Sequence, residues 1–309
     1  IVPPDPIWLR DDYLPGLEEA EALHGIELLT DQELIAFAGS RQEMVYDIEV
    51  YRNYFLAGFL HRISGKVTYI ESTPEGFLDT NKLEWILKNF TIVGFNSANY
   101  DLPITSMALA ERSLYDMKEA SNRIIQTQEP WRDVLRSYGV KCIELDHIDL
   151  VEVAPLRASL KLYGGRMHSK RMQDLPFHPD KSLLAPQKVI TRYYCLGKDL
   201  PSTNLLRETL DEQVSLRVEM GRAYKMDLRS RSDAQIAEHV ISHEVQNLNG
   251  KRVGRPTIPV GTVYRYKVPH YLQFQSPLLQ RALDVIRNAN SLWRTTAQLI
   301  CRLRLANLS

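Results

Sequence analysis

The chain has 309 residues, with 38 Lys and Arg balanced by 38 Asp and Glu, so its net charge is zero. Bulk charge therefore gives no field that draws in nucleic acid or an anionic membrane, and any basic surface has to be local. With 44% apolar and 25% charged residues, the composition is that of an ordinary globular protein, large enough for one big domain or two smaller ones, and it excludes a low-complexity chain.

No apolar run reaches the roughly 18 residues of a membrane span, and no signal peptide is present, so no membrane partner is expected. The three cysteines, Cys142, Cys195 and Cys301, lie far apart and in no metal-binding spacing. A reduced, cytoplasmic protein is the expectation. The chain begins at Ile1 without a Met and ends at Ser309 within a helix-like pattern, which reads as a piece of something longer or as a trimmed chain.

In chain order, Pro3, Pro4 and Pro6 give an extended start, followed by a helical piece from Gly16 to His24. Thr30 and Glu33 form a capping-box pattern ahead of Leu34-Ile35-Ala36-Phe37. Strands are predicted at Met44–Tyr51, Tyr54–Ile63 and Lys66–Glu71, with Ser64-Gly65 as a tight turn, an antiparallel meander. A helix over Thr80–Phe90 leads to a short buried strand, Thr91–Phe95, and a second helix over Leu102–Leu109. Helical segments follow within Ser121–Tyr138, a strand over Cys142–Leu150, and a helix over Leu156–Leu162 that Gly164-Gly165 breaks. Leu183 to Asp199 runs into a long helical pattern, Asp199–Tyr224, and another helix covers Ala234–Gln246. Val263–Val268 alternates like a strand, with Pro256, Pro259 and Pro269 around it. Leu278–Leu308 reads as one or two helices.

The stretch of most chemical interest is Val45-Tyr46-Asp47-Ile48-Glu49-Val50. On a strand Asp47 and Glu49 share one face while Tyr46, Ile48 and Val50 take the other. Two adjacent carboxylates repel each other and resist burial unless a divalent cation sits between them. An all-oxygen ligand set favours Mg²⁺ or Mn²⁺ over zinc. An acidic solvent-facing strand is the alternative. A second acid, Asp101, closes the turn Gly94-Phe95-Asn96-Ser97-Ala98-Asn99-Tyr100 at the carboxyl end of a buried strand, where α/β sheets gather ligands; a helix-capping role is the alternative. A third, Asp199, follows Tyr193-Tyr194-Cys195-Leu196-Gly197-Lys198 at the head of a helix, where a helix-start role is equally open. No Ser-His-Asp, Cys-His or Gly-x-Ser-x-Gly pattern and no phosphate-binding Walker loop is visible.

The order of these motifs resembles the proofreading 3′–5′ exonucleases of DNA polymerases, the DEDD group with an RNase H-like fold. The resemblance covers about residues 42–215. It implies an α/β fold, an RNase H-like mixed sheet flanked by helices. Asp47, Glu49, Asp101 and Asp199 would be the four carboxylates that hold two Mg²⁺ or Mn²⁺ ions, and Tyr194 would position the attacking water. The family has its Tyr four residues before the last Asp. Here Tyr194 stands five before Asp199, and Cys195 takes the usual place; a one-residue bulge would bring Tyr194 back.

A single-stranded DNA 3′ end is the expected partner. Lys161, Arg166, Lys170 and Arg171 are candidate phosphate contacts, with a solvated basic face as the alternative. Asn96 and Tyr100 flank the second motif as further substrate-side residues. Tyr51, Tyr54 and Phe55 are candidates for base stacking, against core packing. The segment from Ser215 to Glu238 is similar to the one that follows the exonuclease in bacteriophage replicative polymerases, which implies a bacterial host cytoplasm and a polymerase core beyond the chain end. The expected division is thus an N-terminal extension (1–41), the exonuclease domain (42–215) and the start of the next, thumb-like or connecting, region (216–309), a C-terminal α+β extension. A catalytically silent RNase H-like module that binds nucleic acid or another partner is the rival reading, and an RNA exonuclease of the same fold is a third.

Overall fold

The computed structural model describes residues 14–301 apart from 157, 170–172, 252–253, 255–258, 260 and 296–297, with the backbone alone over 290–301. The chain divides into two compact units, up to Ile241 and from Ser242 onward. The first unit takes in residues 216–241 as well as the expected 42–215 region, because Val214, Leu228 and Ile236 are buried in it. The prolines at 3, 4 and 6 lie outside the described residues, as does Pro256. Among the described residues no helix is long and apolar enough to cross a membrane.

After α1 (Leu17–Glu21) and α2 (Asp31–Ala38), the first unit is built on a five-stranded sheet. Its strands are β1 (Glu43–Tyr51), β2 (Tyr54–His61), β3 (Val67–Ser72), β4 (Thr91–Gly94) and β5 (His147–Asp149), in the order β3-β2-β1-β4-β5. The meander β1–β3 is antiparallel, and β4 and β5 run parallel to β1. This mixed sheet, flanked by helices, is the RNase H-like α/β arrangement that the sequence implied.

The period of two in β1 decides which face each residue takes. Met44, Tyr46, Ile48 and Val50 pack with Phe55, Ala57 and Phe59 of β2 in one core cluster. That cluster is covered by α3 (Thr80–Asn89), α4 (Asp101–Leu109), α5 (Leu114–Ile125) and α6 (Trp131–Ser137), through Leu83, Ile86, Ile104, Met107, Met117 and Val134. The opposite face carries Val45 and Tyr51 with Tyr54, Leu56 and Leu60, and is covered by Cys195, Leu196 and Leu200. These belong to a continuous run: α9 (Ala185–Tyr194), one π-helical turn (Cys195–Asp199) and α10 (Leu200–Thr209), followed by α11 (Asp211–Tyr224).

Four sequence expectations are corrected. The predicted helix over 156–162 starts later and runs through both glycines, as α8 (Leu160–Arg166). Leu156 is in the left-handed region at φ 69°, and the Tyr163 hydroxyl holds the Pro155 carbonyl at 2.9 Å, so the helix begins only at the Ser159 cap. The predicted strand over 142–150 shrinks to β5, because Asp149 turns the chain into α7 (Leu150–Val153) by accepting the Val151 N–H. The single helix predicted over 199–224 is interrupted at Leu210, between α10 and α11.

In the second unit, the helical pattern expected over 278–308 is broken within the described residues, and its last part, 302–308, lies outside them. The helix α13 (Pro277–Asn288) stops where Ala289 turns extended, and β7 (Asn290–Thr295) and β8 (Gln298–Cys301) form a three-stranded sheet with β6 (Val263–Arg265). In chain order α12 (Asp233–Asn249) lies between α11 and β6.

Candidate metal centre

Asp47 and Glu49 stand on the face of β1 that the π-turn covers. Register places Gly58 of β2 directly opposite Asp47. A Cβ at Gly58 would come within 2.9 Å of Cys195 Sγ and 3.3 Å of the Leu196 and Leu200 side chains. The missing side chain at 58 therefore lets the π-turn settle against the sheet beside the acidic pair. Ligand atoms of Asp47, Glu49 and Cys195 all lie within 4.8 Å of one another, and Cys195 Sγ is 4.0 Å from Asp47 Oδ2.

Asp101 arrives from the next parallel strand. Gly94 ends β4, and a Cβ there would meet Ser97 Oγ at 2.2 Å, so only glycine admits this tight turn. Asn96 adopts φ 58°, a left-handed conformation that Asn tolerates. Asp149 holds the loop from below: its carboxylate accepts the N–H groups of Asn96 at 2.7 Å and Ala98 at 3.0 Å. Asp101 then opens α4, buried at 5% exposure, with Tyr100 as the capping residue. The Ile48 N–H lies near both the Asp101 and Asp47 carboxylates and favours their charged forms.

Asp199 closes the π-turn. Leu200 N–H bonds back to the Cys195 carbonyl, five residues earlier, and this wide turn sets Tyr194 beside Asp199, with the Tyr194 hydroxyl donating to the Gln173 carbonyl at 3.5 Å. The extra residue between Tyr194 and Asp199 is taken up in this π-helical turn.

The electrostatics follow from four like charges gathered together, Glu49 and Asp101 buried and Asp47 and Asp199 half-buried. Burial pushes the Asp47 carboxyl well up, and the charges of Asp101, Asp199 and Glu49 push it further. Glu49, 7% exposed, is raised by burial and then by Asp199 and Asp101. Burial and the Asp149 charge lift Asp101 to about 7, and burial lifts Asp199 to about 6, against the neighbouring Tyr194 hydroxyl, which favours its charged form. Among the described residues no hydrogen-bond donor reaches the Glu49 carboxylate. A cluster of this kind is unstable as four anions and calls for cationic charge.

The remaining candidates fall into three groups. Lys161, on α8, lies close enough for its charge to favour ionised Glu49 and Asp199, and pairs with Asp174 at 2.6 Å. Arg166 is exposed at the end of the same helix. Asn96 is exposed on the loop before Asp101, and Tyr100, near the acids, has its hydroxyl bonded to Ser121 at 2.8 Å. Lys170 and Arg171 lie outside the described residues. Tyr51, Tyr54 and Phe55 are 1%, 0% and 0% exposed, so the stacking role is corrected: all three are core, with the Tyr54 hydroxyl on Glu71 at 2.6 Å.

Two residues of this centre were not singled out from the sequence, Asp149 and the Cys195 thiol as a donor. The signal for Asp149 was a His-Ile-Asp strand able to lie parallel to Thr91–Gly94. Beside the Asn96–Tyr100 loop, a cleft of about 1,000 Å³ is lined by Phe95, Asn96, Asn99, Ser159 and Arg217 among others, and the four carboxylates lie outside that lining. No protein-family model, curated protein or solved structure matches the chain.

Proposed function

We propose that this chain is a metal-dependent 3′–5′ exonuclease that removes nucleotides from single-stranded DNA 3′ ends, the proofreading part of a phage-type DNA polymerase working in a bacterial host cytoplasm. The observation that supports this reading is the gathering of Asp47, Glu49, Asp101 and Asp199 from three separate segments, with Tyr194 beside the last of them. The polymerase setting rests on the sequence resemblance alone.

The donor set fits hard divalent ions. Carboxylate oxygens are the ligands Mg²⁺ and Mn²⁺ take, and the buried Glu49 carboxylate without a donor is a charge in search of a cation. Asp47, Glu49, Asp101 and Asp199 would hold the two ions. When bound, the ions supply an activated water and neutralise charge on the scissile phosphate. The protein groups do the positioning. Asp149 fixes the loop that delivers Asp101, and the nearby Ile48 N–H favours the charged forms of Asp47 and Asp101. The Tyr194 hydroxyl, held against Asp199, orients the water. Lys161, with half its side chain exposed, faces the site and offers a phosphate contact.

The test uses a 3′-labelled oligonucleotide with Mg²⁺ or Mn²⁺. Stepwise release of label by the intact chain and its loss in Asp47→Ala are expected. Equal degradation by both proteins, or none by the intact chain with either ion, refutes the reading. Binding of the oligonucleotide without cleavage selects the catalytically silent module instead, and preferential loss of an RNA label selects the RNA exonuclease.

A further inference from the structure

We propose that the Cys195 thiol is a third ligand, with Asp47 and Glu49, for one ion of this centre, and that it makes the site select a thiophilic divalent cation such as Zn²⁺ or Co²⁺ over Mg²⁺. The inference rests on the metal reading of the carboxylate cluster and adds a ligand of different chemistry to it.

Three observations carry it. Ligand atoms of Asp47, Glu49 and Cys195 fall within 4.8 Å of one another, a spread that side-chain rotation can close onto bonds of about 2.0–2.3 Å. Glu49 is 7% exposed, and among the described residues no hydrogen bond to its carboxylate is seen, so this buried anion beside Asp47 and Cys195 has only the Lys161 charge to favour its ionised form. The Cys195 side chain is held there by packing: it is fully buried, and its Sγ fills the space that a side chain at Gly58 would need. It cannot swing away without opening the core around Leu196 and Leu200.

The chemistry follows from ligand softness. Two carboxylates alone suit hard ions, whereas adding a thiolate shifts preference toward zinc and its neighbours. Binding replaces the sulfur–hydrogen bond by a sulfur–metal bond, and the proton leaves to solvent. Before binding, the thiol faces Asp47 Oδ2 at 4.0 Å, a weak donor contact that the ion would displace. A Zn²⁺ so held competes with Mg²⁺ for Asp47 and Glu49, so trace zinc would govern occupancy of the centre.

Cobalt reports on this directly, because a thiolate bound to Co²⁺ gives a near-ultraviolet charge-transfer band that carboxylates do not. Titration of the intact chain with Co²⁺ should raise this band. Zn²⁺ should abolish it at equimolar amounts, and excess Mg²⁺ should leave it in place. Cys195→Ser should lose the band and bind Co²⁺ more weakly, while Cys142→Ser keeps both. Circular dichroism of Cys195→Ser establishes that the fold is retained, and Glu49→Gln, which keeps the thiol, should weaken Co²⁺ binding independently. A band that survives in Cys195→Ser, or bound Co²⁺ without a band in the intact chain, overturns the proposal. If Mn²⁺ still raises the melting temperature in that case, the carboxylate centre stands without its sulfur; if neither Mn²⁺ nor Co²⁺ binds, both readings fall.

Discussion

Tyr194 and Asp199 are five residues apart and yet lie close enough for their side chains to shift each other's proton affinity, because the backbone between them makes one π-helical turn. In a regular helix residues four apart share a face, and residues five apart do not. The extra residue is thus absorbed in the one place where it brings a phenol to an acid and a thiol to Asp47. Single π-turns inside α-helices occur often at functional sites.

This pairing gives the first expected outcome. Tyr194→Phe removes only the hydroxyl, so the buried ring at 3% exposure keeps its packing. If the hydroxyl orients water, nuclease rate should fall on the order of 10²-fold with the melting temperature nearly unchanged. Undiminished cleavage would leave Tyr194 a packing residue only.

Gly58 is the seat of the π-turn. Gly58→Val adds a branched side chain where a single Cβ already meets Cys195 Sγ at 2.9 Å. Overpacking of this sort costs about 1–3 kcal/mol, and urea denaturation should show a loss of that size. Metal binding should fall with it, since the displaced turn carries both Cys195 and Asp199.

Gly94 is constrained more tightly. Gly94→Ala sets a Cβ 2.2 Å from Ser97 Oγ and 2.6 Å from Ser97 Cβ. A loss of about 2 kcal/mol or more is expected, consistent with strain in a closely packed turn. Ser97→Gly in the same chain removes both clashing atoms and should recover part of it. A double-mutant cycle with no coupling between 94 and 97 would contradict the close approach.

Acid should weaken the fold through His147. Burial, and then the Arg229 charge, hold this imidazole from 6.5 down to about 4, with its Nε2 and Ser97 Oγ 2.8 Å apart. The sign is that of a group that stays neutral in the folded chain and takes up a proton more readily when unfolded. Its contribution is present above 6.5 and is lost as pH falls toward 4, up to about 3 kcal/mol. Urea midpoints of the intact chain and His147→Gln, compared near neutral pH and again within that window, should converge as pH falls. A constant difference excludes the effect.

The acids of the metal centre run the other way. Their folded values lie above the ordinary carboxylate range, with Asp199 at about 6 and Asp101 at about 7. The ion-free fold therefore loses stability as pH rises through that window, when the acids ionise against one another. A divalent ion binds the ionised set, so the rise in melting temperature on adding Mn²⁺ should grow from about pH 5 to about pH 8. A shift that is equal at both ends would mean that the ion binds elsewhere.

The sequence carried the sheet well because alternation is a local signal. Tyr46, Ile48 and Val50 face one core and Asp47 and Glu49 the other side, as a period of two requires. The parallel strand before Asp101 was legible as an apolar run with a small-residue turn after it. What was hidden depended on distant partners. Asp149 reads as one more acid until β5 pairs with β4 and its carboxylate meets the Asn96 and Ala98 amides. The π-turn is invisible to helical periodicity, because a single extra residue is set by what packs on Gly58 and not by the local pattern. Leu278–Leu308 was misjudged for a related reason: Trp293-Arg294-Thr295 supports a strand, and only pairing with Val263–Arg265 decides between strand and helix.

The central claim is that the four carboxylates bind divalent ions as a set. Mn²⁺ titration, followed by loss of the free-ion paramagnetic resonance signal, measures this without reference to activity. Saturable uptake of about two ions per chain is expected, with one or both lost in Asp47→Asn and in Asp199→Asn, each still folded by circular dichroism. Uptake that is absent in the intact chain, or unchanged in both variants, would contradict it.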